Sequence, residues 1–204
     1  MSDFLKGNAA IGQSGGPTAV INQSLVGVVE GLRQGLAAAG FVNTILGMKN
    51  GVRGLTKSDF HDLTDMHQDR LDRLAATPSA GLGSTRDKPD PEYCARIVEA
   101  CKKHNIRYFF YIGGNDSSDT CRIVNEIANT SGYEMRCFHV PKTVDNDLME
   151  NDHTPGFPSA ARFVAMACMA DLGKQRSTCQ RPASKCFSVF FSLFITNHLR
   201  HRLH

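Results

Sequence analysis

The chain has 204 residues and a mass of 22.3 kDa, with 41% hydrophobic and 21% charged residues and a formal net charge of +3. These values match soluble globular averages; they exclude a disordered chain, a collagen and a coiled coil, and the length suits one domain or slightly more. The positive charge is local: Gly173 to His204 holds six Lys or Arg and no acid, which leaves residues 1–172 at net −3, so overall charge gives no ground for a nucleic-acid partner.

The apolar stretch Phe187 to Ile195 is far below the ~20 residues of a membrane span. Met1 to Lys6 lacks the basic start and apolar run of a signal peptide. No membrane role and a cytosolic location are therefore expected. Seven cysteines without CxxC spacing read as reduced thiols filling a core, not as a metal site or a disulfide framework.

In chain order, the apolar run Asn8 to Gly12 precedes a turn-rich QSGGPT segment, Gln13 to Thr18. A helix is predicted over Ala19 to Ala39, with Val20, Ile21, Leu25, Val28, Leu32 and Leu36 near one face and Gly40 as its stop. Phe41 to Leu46 reads as a strand and Asn50-Gly51 as a turn. Val52 to Leu74 is mixed, with a short helix and loops expected. Thr77 to Pro91 is a polar loop rich in Gly and Pro. Pro91 opens a helix ending near Asn105, and Ile106 to Ile112 (IRYFFYI) is a continuous apolar run suited to a strand covered on both faces. Gly113-Gly114, a helix from about Asp116 to Asn129, a strand Glu134 to Val140, the loop PKTVDND and a helix Pro158 to Asp171 follow. The tail beyond Leu172 has no place in this pattern. Repeated strand, loop and helix units predict an α/β fold: a Rossmann-like, doubly wound, mainly parallel sheet.

In such a sheet ligands bind outside the carboxyl ends of the strands, so the loops that follow strands share one edge. In Gln13 to Thr18, Gly15 and Gly16 let backbone N–H groups approach an anion at a helix start; a plain tight turn is the alternative. In Gly113 to Asp119, Gly114, Asn115 and Ser117 suit a phosphate and Asp116 a metal, unless Asp116 or Ser117 merely caps the helix. If Pro141 to Asp147 is extended, Thr143, Asp145 and Asp147 share a face, Val144 points away and Lys142 stays close. Two carboxylates on one face suit a divalent cation or a proton acceptor. Arg86 suits a transferred phosphoryl group or is a solvated surface arginine, and Lys88 lies in the same loop. Anion cradles, cations, metal carboxylates and a base are the equipment of phosphoryl transfer.

The segments IGQSGGPTAVINQSLVG, GLGSTR, YIGGNDSSDT and HVPKTVDNDLMENDHTPGF resemble the phosphofructokinase family, over about Asn8 to Leu172. Asp116 and Lys142, each where ATP-using members usually have Gly, are similar to its pyrophosphate-dependent branch. The resemblance implies that Asp145 is the general base for the sugar 1-hydroxyl, that Lys142 binds pyrophosphate, and that Arg86 meets the transferred phosphoryl group. It further implies that Thr143 contacts the sugar phosphate, that Asp147 links metal and substrate, that Gly15 lies in the first phosphate-binding turn, and that Asp116 obstructs a nucleotide donor, with the Mg²⁺ resting on Asp116 and Asp147 because Asn115 replaces an aspartate. Asn115 departs from a more usual metal-binding aspartate, and Pro158 from a small or acidic residue.

The implied reaction takes fructose 6-phosphate and pyrophosphate to fructose 1,6-bisphosphate and phosphate, a glycolytic step, with ATP as the alternative donor. Residues 1–172 are then expected to form the family's N-terminal donor domain. Residues 173–204 form a basic tail, foreign or frame-shifted, standing where the family has an MGR segment and a second domain. A non-catalytic fragment that keeps phosphate or partner binding is the competing expectation, and the isolated chain is expected to be weak or inactive. A lipid or nucleotide kinase with a similar GGxxS turn leaves PKTVDND without a role. A homo-oligomer would follow the family. All of this requires Asp145 within about 15 Å of Gly114, a span that one pyrophosphate–magnesium unit bridges.

Overall fold

The computed structural model describes residues 4–178. The chain divides after Phe157 into two units, and the sheet and every loop discussed above belong to the first.

Five strands form one sheet in the order β3-β2-β1-β4-β5. They are β1 (Gly7–Gln13), β2 (Val42–Met48), β3 (Phe60–Asp62), β4 (Ile106–Gly113) and β5 (Arg136–Pro141). All pairings are parallel except β2 with β3. The α/β expectation therefore holds, and the reversed β3 is an addition to it. At three residues, with His61 and Asp62 exposed, β3 carries no apolar pattern that a reader of the sequence could find.

Helices cover both faces. Helix α1 (Ile21–Leu32) and α3 (Gln68–Ala76) lie on one side, and α2 (Val52–Lys57), α4 (Pro91–Lys103) and α5 (Asn115–Thr130) on the other. The expected helix over Ala19 to Ala39 is instead α1 followed by a π-helical turn, Arg33–Ala37. Strand β4 explains its own sequence. Tyr108 and Ile112 pack toward α1, while Phe109 and Tyr111 pack toward α2, α4 and α5, so a continuous apolar run is buried on both faces. Each such side chain contributes about 1.5–3 kcal/mol. Helix α4 starts as its sequence predicts, with Asp90 accepting from the Tyr93 N–H and Pro91 in the first turn.

Cys94, Cys101 and Cys121 are buried and free, and Cys137 is half-buried. Burial pushes the Cys94 thiol up to about 11, with Asp90 adding to it, and Cys137 up to about 12. They remain thiols at neutral pH and serve as small core residues, as expected. Cys168 is exposed, and Cys179 and Cys186 lie outside the described residues. Among the described residues no helix is long and apolar enough to cross a membrane.

Helix α6 (Phe157–Thr178) begins at the junction of the two units and runs through Leu172 and Gly173. The tail beyond Thr178 lies outside the described residues.

Gly51 turns the chain between β2 and α2. Its φ of +63° and ψ of −139° fall where only glycine is at ease, and a β-carbon there would meet the Gln13 carbonyl at 2.9 Å and the Thr85 methyl at 2.8 Å. Gly51→Ala is expected to lower the stability of the fold by about 2–4 kcal/mol in urea unfolding, strain and overpacking together; an unchanged midpoint would refute this packing account.

Candidate active site

The sheet order places a topological switch between β1 and β4. The chain leaves β1 toward β2 on one side and leaves β4 toward β5 on the other, so the carboxyl ends of β1 and β4 open a crevice. Ser14, the first residue past β1, donates its N–H to the Ile112 carbonyl of β4 at 2.9 Å. Its hydroxyl bonds to the Ile112 carbonyl and to the Ser117 hydroxyl. A cleft of about 550 Å³ opens here, lined by Ser14 to Thr18, Thr85 to Lys88, Gly114 to Ser117 and Thr143 to Asp145. A second hollow of about 300 Å³ adjoins it, lined by Gly113 to Asp116, His139, Pro141 to Thr143, Asp145, Asp147 and Leu148. Gly114 and Asp145 line both, so the convergence on which the sequence argument depends is present.

Each wall has a physical cause. Gly15, at φ +75°, turns the chain back after β1; its N–H donates to the Thr85 carbonyl at 2.8 Å, and its carbonyl accepts from the Ser84 hydroxyl at 2.5 Å. That locks the first turn to the Arg86 loop. Two buried side chains set the course of this loop. Asn22 accepts from Gly81 N–H and donates to the carbonyls of Thr77 and Ser79, each at 2.8 Å. Gln13 accepts from Leu82 N–H and donates to Asn22 Oδ1, both at 2.9 Å. Arg53 grips Asp87 with two hydrogen bonds, which hold the Asp87 carboxyl below its usual range despite partial burial. Arg86 is thereby carried to the cleft, with its guanidinium 3.5 Å from where a Gly16 β-carbon would stand.

Helix α5 begins on Gly114 with no side-chain cap, so neither Asp116 nor Ser117 is the cap weighed above. The N–H groups of Ser117 and Ser118 turn onto the Gly114 carbonyl. The amides that begin the helix have no intrahelical acceptor, and they border the cleft with the positive end of the helix dipole. Ser117 is buried with its hydroxyl held by Ser14, whereas Asn115 and Asp116 are exposed on the rim. Asp116 pairs with Lys88 at 3.2 Å across the cleft mouth.

The loop after β5 corrects one expectation. It bends at Val144 and Asp145 rather than staying extended: the Thr143 hydroxyl accepts from Asp145 N–H at 3.0 Å, and Asn146 takes φ +57°. Alternation therefore does not gather the carboxylates, and Val144 lines the larger cleft instead of pointing away. Asn146 also accepts from Thr154 N–H at 2.8 Å, tying the loop to the HTPGF segment. Asp145 and Asp147 still reach one hollow, because a turn brings them there.

Lys142 is the unusual member. It is only 5% exposed, its ammonium donates to the Gly16 carbonyl at 2.6 Å, and no carboxylate among the described residues forms an ion pair with it. Burial pulls its pKa below the ordinary lysine value; Asp145 opposes that pull and Arg86 adds to it. A buried cation beside a second cation is costly unless an anion joins them.

For a divalent cation, no group of three His, Cys, Asp or Glu suited to holding one is found among the described residues. Asp116, Asp145 and Asp147 nevertheless border one hollow with exposed carboxylates. Hard oxygen donors, one or two per ion with the rest from phosphate and water, are what Mg²⁺ takes. The residues present fit that ion.

His139 and Ser14 were not among the sequence-derived site residues. His139 stands two residues before Pro141 near the carboxyl end of β5, and strand alternation from Pro141 is the signal that would have found it.

A sequence profile described as Phosphofructokinase matches residues 8–182. The chain is 56% identical over 166 residues to a pyrophosphate–fructose 6-phosphate 1-phosphotransferase of Rhodospirillum rubrum, a match covering 80% of this chain and 40% of that protein. Crystal structures of pyrophosphate-dependent phosphofructokinases are similar as well. That from Nitrosospira multiformis has a TM-score of 0.72 at 41% identity, covering 80% of this chain and 40% of the other. That from Marinobacter aquaeolei has a TM-score of 0.73 at 37% identity, covering 85% and 43%. The chain thus spans about 40% of the length of the relatives it matches.

Proposed function

We propose, for a chain that belongs to the phosphofructokinase family, that its cleft binds pyrophosphate and serves phosphoryl transfer to the 1-hydroxyl of fructose 6-phosphate, a glycolytic step. The relatives' names support the donor and the acceptor. The observation that carries the reading is the buried Lys142 ammonium, with no carboxylate ion pair among the described residues, in the hollow whose rim bears Asp145. A polyanion supplies the charge that this cation lacks.

In this reading the Gly15-Gly16 turn, the amides at the start of α5, Arg86 and Lys142 hold and orient pyrophosphate. Asp145 takes the proton of the sugar hydroxyl as its oxygen attacks the near phosphorus. One P–O bond forms, the bridging P–O bond breaks, and inorganic phosphate leaves with the electron pair. Arg86 and Lys142 neutralise charge on the moving and departing groups. Thr143 contacts the sugar phosphate. Asp116 and Asp147 are the residues that would hold Mg²⁺. When bound, the ion neutralises phosphate oxygens and orients them.

Calorimetry of the chain with pyrophosphate and Mg²⁺, against ATP and Mg²⁺, tests the donor; a coupled assay with fructose 6-phosphate tests turnover. Pyrophosphate is expected to bind at least tenfold more tightly than ATP. A preference for ATP would overturn the donor assignment. Pyrophosphate binding without turnover would assign this chain to anion binding alone.

A further inference from the structure

Gly113 lines the smaller hollow and Gly114 lines both, and nothing in the covalent structure of the peptide between them holds it still. Two adjacent glycines have the softest backbone torsions available. A side chain cannot stiffen the first of them, because a β-carbon on Gly113 would run into the hydroxyls of Ser14 and Ser117. The peptide is held from outside. The Gly113 carbonyl accepts two hydrogen bonds at 2.9 Å, one from the Lys142 backbone N–H and one from His139 Nε2. Two donors use both lone pairs of one oxygen and fix the plane of the peptide.

That plane matters for the neighbouring amide. No peptide bond here is cis, and in a trans unit the C=O and N–H point in opposite directions. A carbonyl turned toward β5 leaves the Gly114 N–H turned away from β5. Gly114 lines the larger cleft together with Gly15, Gly16 and Arg86. A carbonyl only accepts, so His139 must carry its hydrogen on Nε2; in the neutral ring Nδ1 is then bare. Of the two donors, only His139 is a side chain.

We propose that His139 is a positioning residue of the anion cradle: its Nε2–H, acting with the Lys142 backbone N–H, locks the Gly113 carbonyl and so aims the Gly114 N–H at the bound anion. The assignment rests on the reading that pyrophosphate binds at this rim. It gives a role to a histidine that neither the base, the cations nor the metal carboxylates require.

Two substitutions separate the cases. Gln places an amide N–H about where Nε2 stands, whereas the shorter Asn places one near Nδ1, out of reach of Gly113. His139→Asn is expected to weaken pyrophosphate binding about tenfold in calorimetry, the loss of roughly one positioned hydrogen bond. His139→Gln is expected to stay within about twofold of the parent. The Gly114 amide resonance, followed by NMR, shifts on pyrophosphate addition in the parent and in His139→Gln, and fails to shift in His139→Asn. Equal affinity and an equal Gly114 shift in His139→Asn would overturn the assignment, as would a His139→Gln variant as weak as His139→Asn. A lowered melting temperature in His139→Asn with the Gly114 shift intact would also overturn it, since that is a structural tie alone. Absence of pyrophosphate binding by the parent chain overturns the donor reading and this assignment together; normal binding by the parent with no effect of Asn overturns this assignment only.

Discussion

Lys142→Met is expected to weaken pyrophosphate binding at least 100-fold, on the order of 3 kcal/mol, while leaving the protein at least as stable as before. The two halves of this result have one cause. The ammonium is buried, holds a single carbonyl, and has no carboxylate among the described residues as an ion-pair partner. In the absence of an anion that arrangement disfavours the folded state, and methionine, similar in length and apolar, removes the charge without leaving a hole.

The pH dependence follows from the direction of the shift. The folded-state pKa of Lys142 lies below its unfolded value, so the unfolded chain binds the proton more tightly. The penalty is full below the folded pKa and fades as pH rises through it toward the unfolded value. The stability gained by Lys142→Met, about 1 kcal/mol at pH 7, therefore shrinks toward pH 10 in paired denaturant titrations. A variant that binds pyrophosphate like the parent would reduce Lys142 to a tie between the loop after β5 and the Gly16 carbonyl.

Relative to whatever turnover the parent chain supports, Asp145→Asn is expected to lower kcat about 1,000-fold, within the range for removal of a general base, with pyrophosphate affinity changed less than about threefold. The two carboxylates of this loop are distinguishable by position. Asp145 lines both hollows, whereas Asp147 lines only the smaller one. The amide keeps the size and the turn, because the bond that shapes the turn runs from the Asp145 backbone N–H to the Thr143 hydroxyl and does not involve the carboxylate. A fall in kcat with donor binding preserved identifies proton removal as the lost function. An equal fall in donor affinity would instead place Asp145 among the groups that hold the anion or its metal.

Much of this was readable in the residues, and the exceptions have physical reasons. IRYFFYI is legible as a doubly covered strand because every position but Arg107 is aromatic or aliphatic, and Asp90-Pro91 as a helix start because cap and first-turn preferences are local. The Gly-Gly segments are legible as sharp turns ahead of a helix for the same reason: their meaning lies in one short stretch of backbone. By contrast, the Arg86 loop is shaped by Asn22 and Gln13, about 60–70 residues away, and nothing in GLGSTR announces those partners. In the PKTVDND loop the condition of an extended backbone fails, and Asn146, a residue tolerant of positive φ, marks the bend. Ser14 has no local signal and His139 only the alternation of β5: each acquires its role when β4 lies beside its strand.

The order of the strands also bears on when the cleft comes into existence. Its walls come from the chain near residues 14, 86, 114 and 145, and β1 sits between β2 and β4 instead of at an edge. During synthesis the first turn waits for more than 120 residues of later chain before its far wall arrives, and contacts of such long sequence separation slow folding. On the proposed reading the anion site is complete only once the loop after β5 is in place, and an anion present at 100 times its Kd would then hold the finished sheet by about 2.7 kcal/mol. For this chain, pyrophosphate would act as a clasp that fastens only after the last strand is seated.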